Sequence, residues 1–89
     1  MLSDCGMESR RFVYVIRSTT RPDRHYIGRT FDMPSRLASH NAGESPRTCS
    51  HRPWRLVVSV AFASEIRAAE FEKYLKSGSG GEFVERHFL

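Results

Sequence analysis

A chain of 89 residues with 39% apolar side chains supports one domain with one modest core, because separate domains need on the order of 50 residues each. No apolar run approaches the roughly 18 residues of a membrane span, the polar N-terminus lacks the apolar centre of a signal peptide, and two cysteines, Cys5 and Cys49, are too few for a disulfide scaffold; the expectation is a cytoplasmic protein that makes no use of a membrane. The net charge of +4 is unevenly spread, with ten arginines against Asp23, Asp32 and Glu44 in residues 10–55, and five acidic against four basic side chains from residue 56 onward. Guanidinium forks pair bidentately with phosphate oxygens, so the basic half points towards nucleic acid, although arginine-rich coding from a GC-rich genome gives the same count.

Residues 1–10 are expected to be a flexible N-terminus and 11–89 a single domain. Residues 12–16 (FVYVI) form a continuous apolar run rich in β-branched and aromatic side chains, the pattern of a buried strand. Pro22 and Asp23 mark a turn, and residues 25–28 form a second strand, hairpinned to the first. Asp32 is the N-cap of a helix with Pro34 in its first turn, running to about Asn41 and stopped by Gly43. Residues 44–53, with Pro46 and Pro53, read as an exposed loop. Residues 54–62 (WRLVVSVAF) are the third strand, and Ser64 caps a helix through about Lys76 with Glu65 in its first turn. The tract SGSGG at 77–81 breaks that helix, and Ser79 with Glu82 has capping-box spacing for a last short one. The order β-β-α-β-α-α predicts an α+β fold, a small three-stranded antiparallel sheet flanked by helices.

The second long helix carries two differently placed carboxylates. At 100° per residue Ala68, Phe71 and Leu75 share the core-facing stripe; Glu72 falls at its rim and Glu70 on the solvent side. A carboxylate beside a buried face needs compensation, either from an ion pair with an arginine or Lys76, or from a bound metal cation. In the first helix Arg36 and His40, four apart, stack on one face beside Met33 and Leu37. They form either a solvated face or a pair that reaches one phosphate, the arginine as clamp and the histidine as proton carrier. Tyr14 and Tyr26 lie on adjacent strands, where tyrosines are usually core residues with a satisfied hydroxyl, and Gly28 within a strand suggests a close backbone approach or a bulge. Cys49 and His51 with His40 or Cys5 fit no closed zinc spacing. The SGSGG tract lacks the Lys-Ser/Thr of a phosphate loop. In the basic stretch with Arg47, Arg52 and Arg55, Trp54 either stacks on a base or starts a core strand, and core is the better reading.

Together these residues resemble the GIY-YIG nuclease superfamily. Val13-Tyr14-Val15 stands where the first name-giving triplet falls, with its tyrosine retained, and Tyr26-Ile27-Gly28 is the second triplet intact. Residues 35–41 (SRLASHN) are similar to the family's first helix, and residues 72–80 (EKYLKSGSG) look like the metal-binding helix of its short bacterial members. The resemblance covers roughly residues 11–88. It implies a DNA endonuclease that hydrolyses phosphodiesters with one divalent metal, Mg²⁺ or in its place Mn²⁺, in repair or recombination, with a protein partner supplying selectivity. By position it implies Glu72 as metal ligand, Arg36 as phosphate clamp aided by Arg29, Tyr14 and Tyr26 as active-site tyrosines, His40 as a histidine seen in part of the family, and Gly28 as a motif glycine. Mg²⁺ keeps most of its waters, so one carboxylate with the substrate phosphate is able to hold it. A tyrosine is a poor base unless cations lower its pKa; Arg36 and the metal are expected to do so for Tyr14, with His40 passing the proton onward. One departure stands out: several members carry an asparagine about twelve residues beyond the glutamate, and here that position is Val84. The rival reading is a non-catalytic nucleic-acid-binding domain that kept the fold.

Overall fold

In the computed structural model, which describes residues 11–89, β1 (Arg11–Ser18) lies between β2 (His25–Thr30) and β3 (Trp54–Phe62) in a three-stranded antiparallel sheet. The expectation for residues 1–10 falls outside the described residues. Four successive residues of β1, 13–16, are buried without alternation, as a strand covered on both faces requires. Side chains alternate across the pleat. Val13 and Val15 therefore join Ile27, Ala68, Leu75 and Val84 on one side, while Tyr14 and Ile16 pack with Met33 and Trp54 on the other. Helix α1 (Met33–Asn41) covers the Tyr14 face, and α2 (Glu65–Leu75) with α3 (Gly78–His87) covers the Val13 face. The class is α+β and the order is the one read from the sequence. Among the described residues no helix is long and apolar enough to cross a membrane.

Strand register decides which side chains meet across the sheet. Tyr14 stands directly opposite Gly28, and Ile16 opposite Tyr26. On the other edge the pairing shifts between Val15 and Ile16, leaving Val57 as an extra residue in β3. The caps expected for the first two helices are present: the Asp32 carboxylate accepts from Ser35 N at 3.2 Å, and the Ser64 hydroxyl from Arg67 N at 3.2 Å. Gly43 follows α1 with φ of +81°.

Two expectations are corrected. The SGSGG tract is not a break followed by a cap at Ser79: Ser77 is the cap, its hydroxyl accepting from Gly80 N at 3.2 Å, and the glycines are the first turn of α3. Helix α3 can begin so soon because a Cβ on Gly80 would collide with the Tyr74 carbonyl that ends α2. Residues 44–53 are likewise not uniformly exposed. Thr48 is fully buried ahead of a 3₁₀ turn at Cys49–His51. Trp54 is core, as read: it is buried, its indole donates to Thr48 O at 2.8 Å, and its backbone exchanges two hydrogen bonds with the Asn41 amide. Asn41 thereby ties the end of α1 to the start of β3 and draws the loop between them inward.

Candidate active site

A cleft of about 510 Å³ opens at β2, the edge strand of the sheet, and Tyr14, Tyr26, Gly28, Arg29, Arg36 and Glu72 all line it. Because β2 is an edge, groups carried by α1 over one face and by α2 over the other meet across it. Gly28 allows this. A Cβ there would lie 2.5 Å from the Tyr14 hydroxyl oxygen, 2.7 Å from Tyr14 Cζ and 3.0 Å from Tyr26 Cε2. The motif glycine is thus required by the close approach of its cross-strand partner rather than by a bulge.

On the α1 side, Arg36 Nε donates to the Tyr14 hydroxyl at 3.3 Å. His40 is fully buried and, unlike Tyr14, does not line the cleft, so it is not part of a solvated face and reaches the cleft through Tyr14. Its Nε2 lies 2.8 Å from the Tyr14 oxygen and its Nδ1 2.7 Å from Thr48 Oγ1. Burial, reinforced by the Arg36 charge, lowers the His40 pKa to about 4, so the imidazole is neutral at pH 7. Of the two cations expected to lower the Tyr14 pKa, Arg36 acts in that direction but does not outweigh burial. Burial raises it above the ordinary value, and the hydrogen bond and charge of Arg36 only partly oppose that rise. Tyr14 is a neutral hydroxyl here. The bond to Tyr14 in turn raises the pKa of Arg36, which stays charged.

On the α2 side, the helical-wheel distinction holds: the Glu72 side chain is 17% exposed and that of Glu70 63%. Both compensating ion pairs weighed from the sequence form at once, Arg29 Nε donating to Glu72 Oε1 at 2.6 Å and Lys76 Nζ to Oε2 at 3.0 Å. Arg29 is therefore held by the carboxylate rather than poised alone for phosphate. Among the described residues no group of three or more His, Cys, Asp or Glu is placed to hold a metal ion; Cys5 lies outside the described residues. Glu72 is one of two carboxylates on the cleft, with Glu65, and an oxygen donor of this kind suits a hard ion that keeps most of its waters, provided the ion displaces Arg29 and Lys76. Val84, where the resemblance expects an asparagine, is fully buried in the core and presents nothing to the cleft.

Several cleft residues escaped the sequence reading. Arg11, Phe31 and Glu65 also line it, and Thr48 supports His40 from the loop. No periodicity marks Thr48, because its position depends on the Asn41–Trp54 closure. Phe31 carried a signal, an aromatic side chain between a strand and a helix cap.

The family described as GIY-YIG catalytic domain matches residues 10–81. Among curated proteins the chain is similar to the structure-specific endonuclease subunit SLX1 of Podospora anserina, 46% identical over 66 residues, covering 67% of this chain and 19% of that protein. It is similar to the SLX1 subunit of Scheffersomyces stipitis at 42% over 67 residues, covering 67% of this chain and 20% of that protein. The chain therefore spans about a fifth of the length of these relatives. A UPF0213 protein of Streptococcus pneumoniae serotype 4 is 37% identical over 71 residues, covering 79% of this chain and 70% of its own. The solution structure of a UPF0213 protein from Bacillus halodurans superposes with a TM-score of 0.53 at 28% identity, over 89% of this chain and 86% of that one.

Proposed function

Because the chain belongs to the GIY-YIG catalytic domain family, we propose that it is a divalent-metal-dependent endonuclease that hydrolyses phosphodiester bonds in DNA. The observation that carries this reading is the convergence of Tyr14, Arg36 and Glu72 on one cleft from three separate elements.

Each side chain has a task suited to its environment. Arg36, permanently charged, binds the non-bridging oxygens of the scissile phosphate, where negative charge builds up during attack. Glu72 is the residue that would hold Mg²⁺ or Mn²⁺, exchanging Arg29 and Lys76 for it; once bound, the ion supplies Lewis-acid stabilisation of the leaving oxygen. Tyr14 takes the proton of the attacking water. Since Arg36 already donates to the Tyr14 oxygen, the tyrosine's own proton is free to go to His40 Nε2, with Nδ1–H donating to Thr48 Oγ1. As the water oxygen bonds to phosphorus and the P–O ester bond breaks, one proton moves from water to Tyr14 and another from Tyr14 to His40. A buried imidazole with its pKa lowered to about 4 holds that proton only in passing, and it returns through Tyr14 to the leaving oxygen. The buried acceptor 2.8 Å behind the Tyr14 hydroxyl gives a neutral tyrosine a transient outlet for its own proton. That acceptor favours Tyr14 over Tyr26, which lines the cleft beside the phosphate position.

The same reading assigns the protein to the cytoplasm and to DNA repair or recombination, with a partner that supplies selectivity; that two relatives are named as endonuclease subunits supports the partner alone. The second reading, a non-catalytic DNA-binding domain, draws on the buried Val84 and on the pre-paired Glu72. Cleavage of labelled duplex, flap and single-stranded DNA with Mg²⁺, with EDTA and Glu72→Gln as controls, separates the two. Metal-dependent cutting that falls about 100-fold or more in Glu72→Gln is expected. Salt-sensitive binding without cutting would leave the binding domain.

A further inference from the structure

Phe31 is 68% exposed, yet it lines the cleft. Exposure of one apolar side chain is unremarkable by itself; its setting is what singles it out. The residue sits between two anchored neighbours. Asp32 N donates to Thr30 Oγ1 at 3.1 Å, Thr30 Oγ1 lies 3.3 Å from Asp32 O, and Asp32 is itself the cap of α1. The ring is therefore carried on a short, hydrogen-bonded turn. Arg11 brings its guanidinium carbon to 5.2 Å from the ring centroid, and Arg11 is paired in turn with Glu65 at 3.6 Å. An aromatic side chain exposed to solvent, backed by an arginine and held at a cleft that Arg29 and Arg36 also line, has the composition of a base-stacking platform.

We propose that Phe31, supported by Arg11, forms a nucleobase-stacking subsite at the mouth of the cleft, which admits an unstacked base flanking the bound phosphate. The inference rests on the nuclease reading for its substrate. Phe31 lies three residues beyond Gly28, the residue opposite Tyr14, which is roughly 10 Å at strand rise. A base that lays its face on the Phe31 ring gives up its neighbouring base on that side, so it has left its stack. Single strands, flaps and branch points offer such bases at little cost; an intact duplex must first be opened. The subsite thus selects DNA by the availability of an unpaired base, without reading which base it is.

The test compares binding, by fluorescence anisotropy in EDTA, of a single-stranded oligonucleotide and of the same backbone made of abasic residues. The wild type, Phe31→Ala, Phe31→Trp and Arg36→Ala are measured side by side, with Mg²⁺ cleavage of the base-carrying strand in parallel. The wild type is expected to prefer the base-carrying strand by roughly fivefold or more, consistent with stacking on an aromatic. Phe31→Ala should lose that preference, Phe31→Trp should keep it, and Arg36→Ala should weaken both ligands alike. An unchanged preference in Phe31→Ala, or no preference or no binding in the wild type, overturns the subsite. The two readings fail separately. A Phe31-dependent preference without cutting upholds the subsite and removes the nuclease, whereas cutting without that preference removes the subsite alone.

Discussion

Over the α1 wall of the cleft, Tyr14 and His40 are buried to 0% exposure, neutral, and joined by short hydrogen bonds that end on Thr48. Over the α2 wall, Glu72 carries a charge, and its partners Arg29 and Lys76 have side chains 37% and 51% exposed. The first wall is dry and tightly packed: a displaced atom there meets another atom, and an added charge finds no solvent. The second is wet, and its ion pairs are worth about 0–1 kcal/mol each, so they can be exchanged for other charged groups. Position is fixed on one side of the cleft, and charge is kept exchangeable on the other.

If the buried wall is as tight as this implies, small changes there should cost the most. Lowering pH should act on the same wall at a comparable cost, and removing an ion pair from the charged wall should cost the least. Gly28→Ala adds one methyl group opposite Tyr14, at 2.5 Å from its hydroxyl oxygen. Overpacking of this kind costs about 2 kcal/mol, or roughly 10 °C in Tm for a domain of this size. Calorimetry should show that loss, with DNA cutting reduced at least tenfold. A variant that melts and cuts like the wild type would mean that Tyr14 moves freely.

Acid acts on the same wall. The His40 pKa falls from an unfolded value near 6.5 to about 4, so between those values the unfolded chain binds the extra proton. The stability linked to neutral His40 is present above pH 6.5 and is lost as pH drops towards 4, on the order of 3 kcal/mol in all. Denaturant midpoints at pH 7, 5.5 and 4.5 should fall less steeply in His40→Gln, which lacks the group. Equal slopes would remove His40 as the origin.

The smallest effect belongs to Lys76→Met. Only one of the two Glu72 pairs is lost, at a half-exposed lysine, so unfolding free energy should change by less than about 1 kcal/mol. With one competitor gone, half-maximal cutting should need less Mg²⁺. A stability loss matching that of Gly28→Ala would show the two walls to be equally rigid and erase the contrast.

The sequence made the elements and the site's main participants legible for local reasons. A run of apolar residues without alternation marked the strand covered on both faces, Asp32 and Ser64 marked two helix starts, and a helical wheel separated Glu72 from Glu70 using neighbours within one turn. Where two serines competed for one cap, local spacing chose Ser79, and packing of Gly80 against the Tyr74 carbonyl decided for Ser77. The site residues Tyr14, Tyr26, Arg36 and Glu72 could be named because each belongs to a short motif. The state of those side chains was not written in any motif. His40 sits on a helical face that reads as solvent-accessible, and only the loop drawn in by Asn41 and Trp54 buries it against Thr48. Its depressed pKa, the raised pKa of Tyr14 and the capture of Arg29 by Glu72 all follow from distances between segments far apart in the chain. Spacing along the sequence sets which residues share a face; desolvation and charge pairing depend on what covers that face, and only the assembled tertiary structure supplies it.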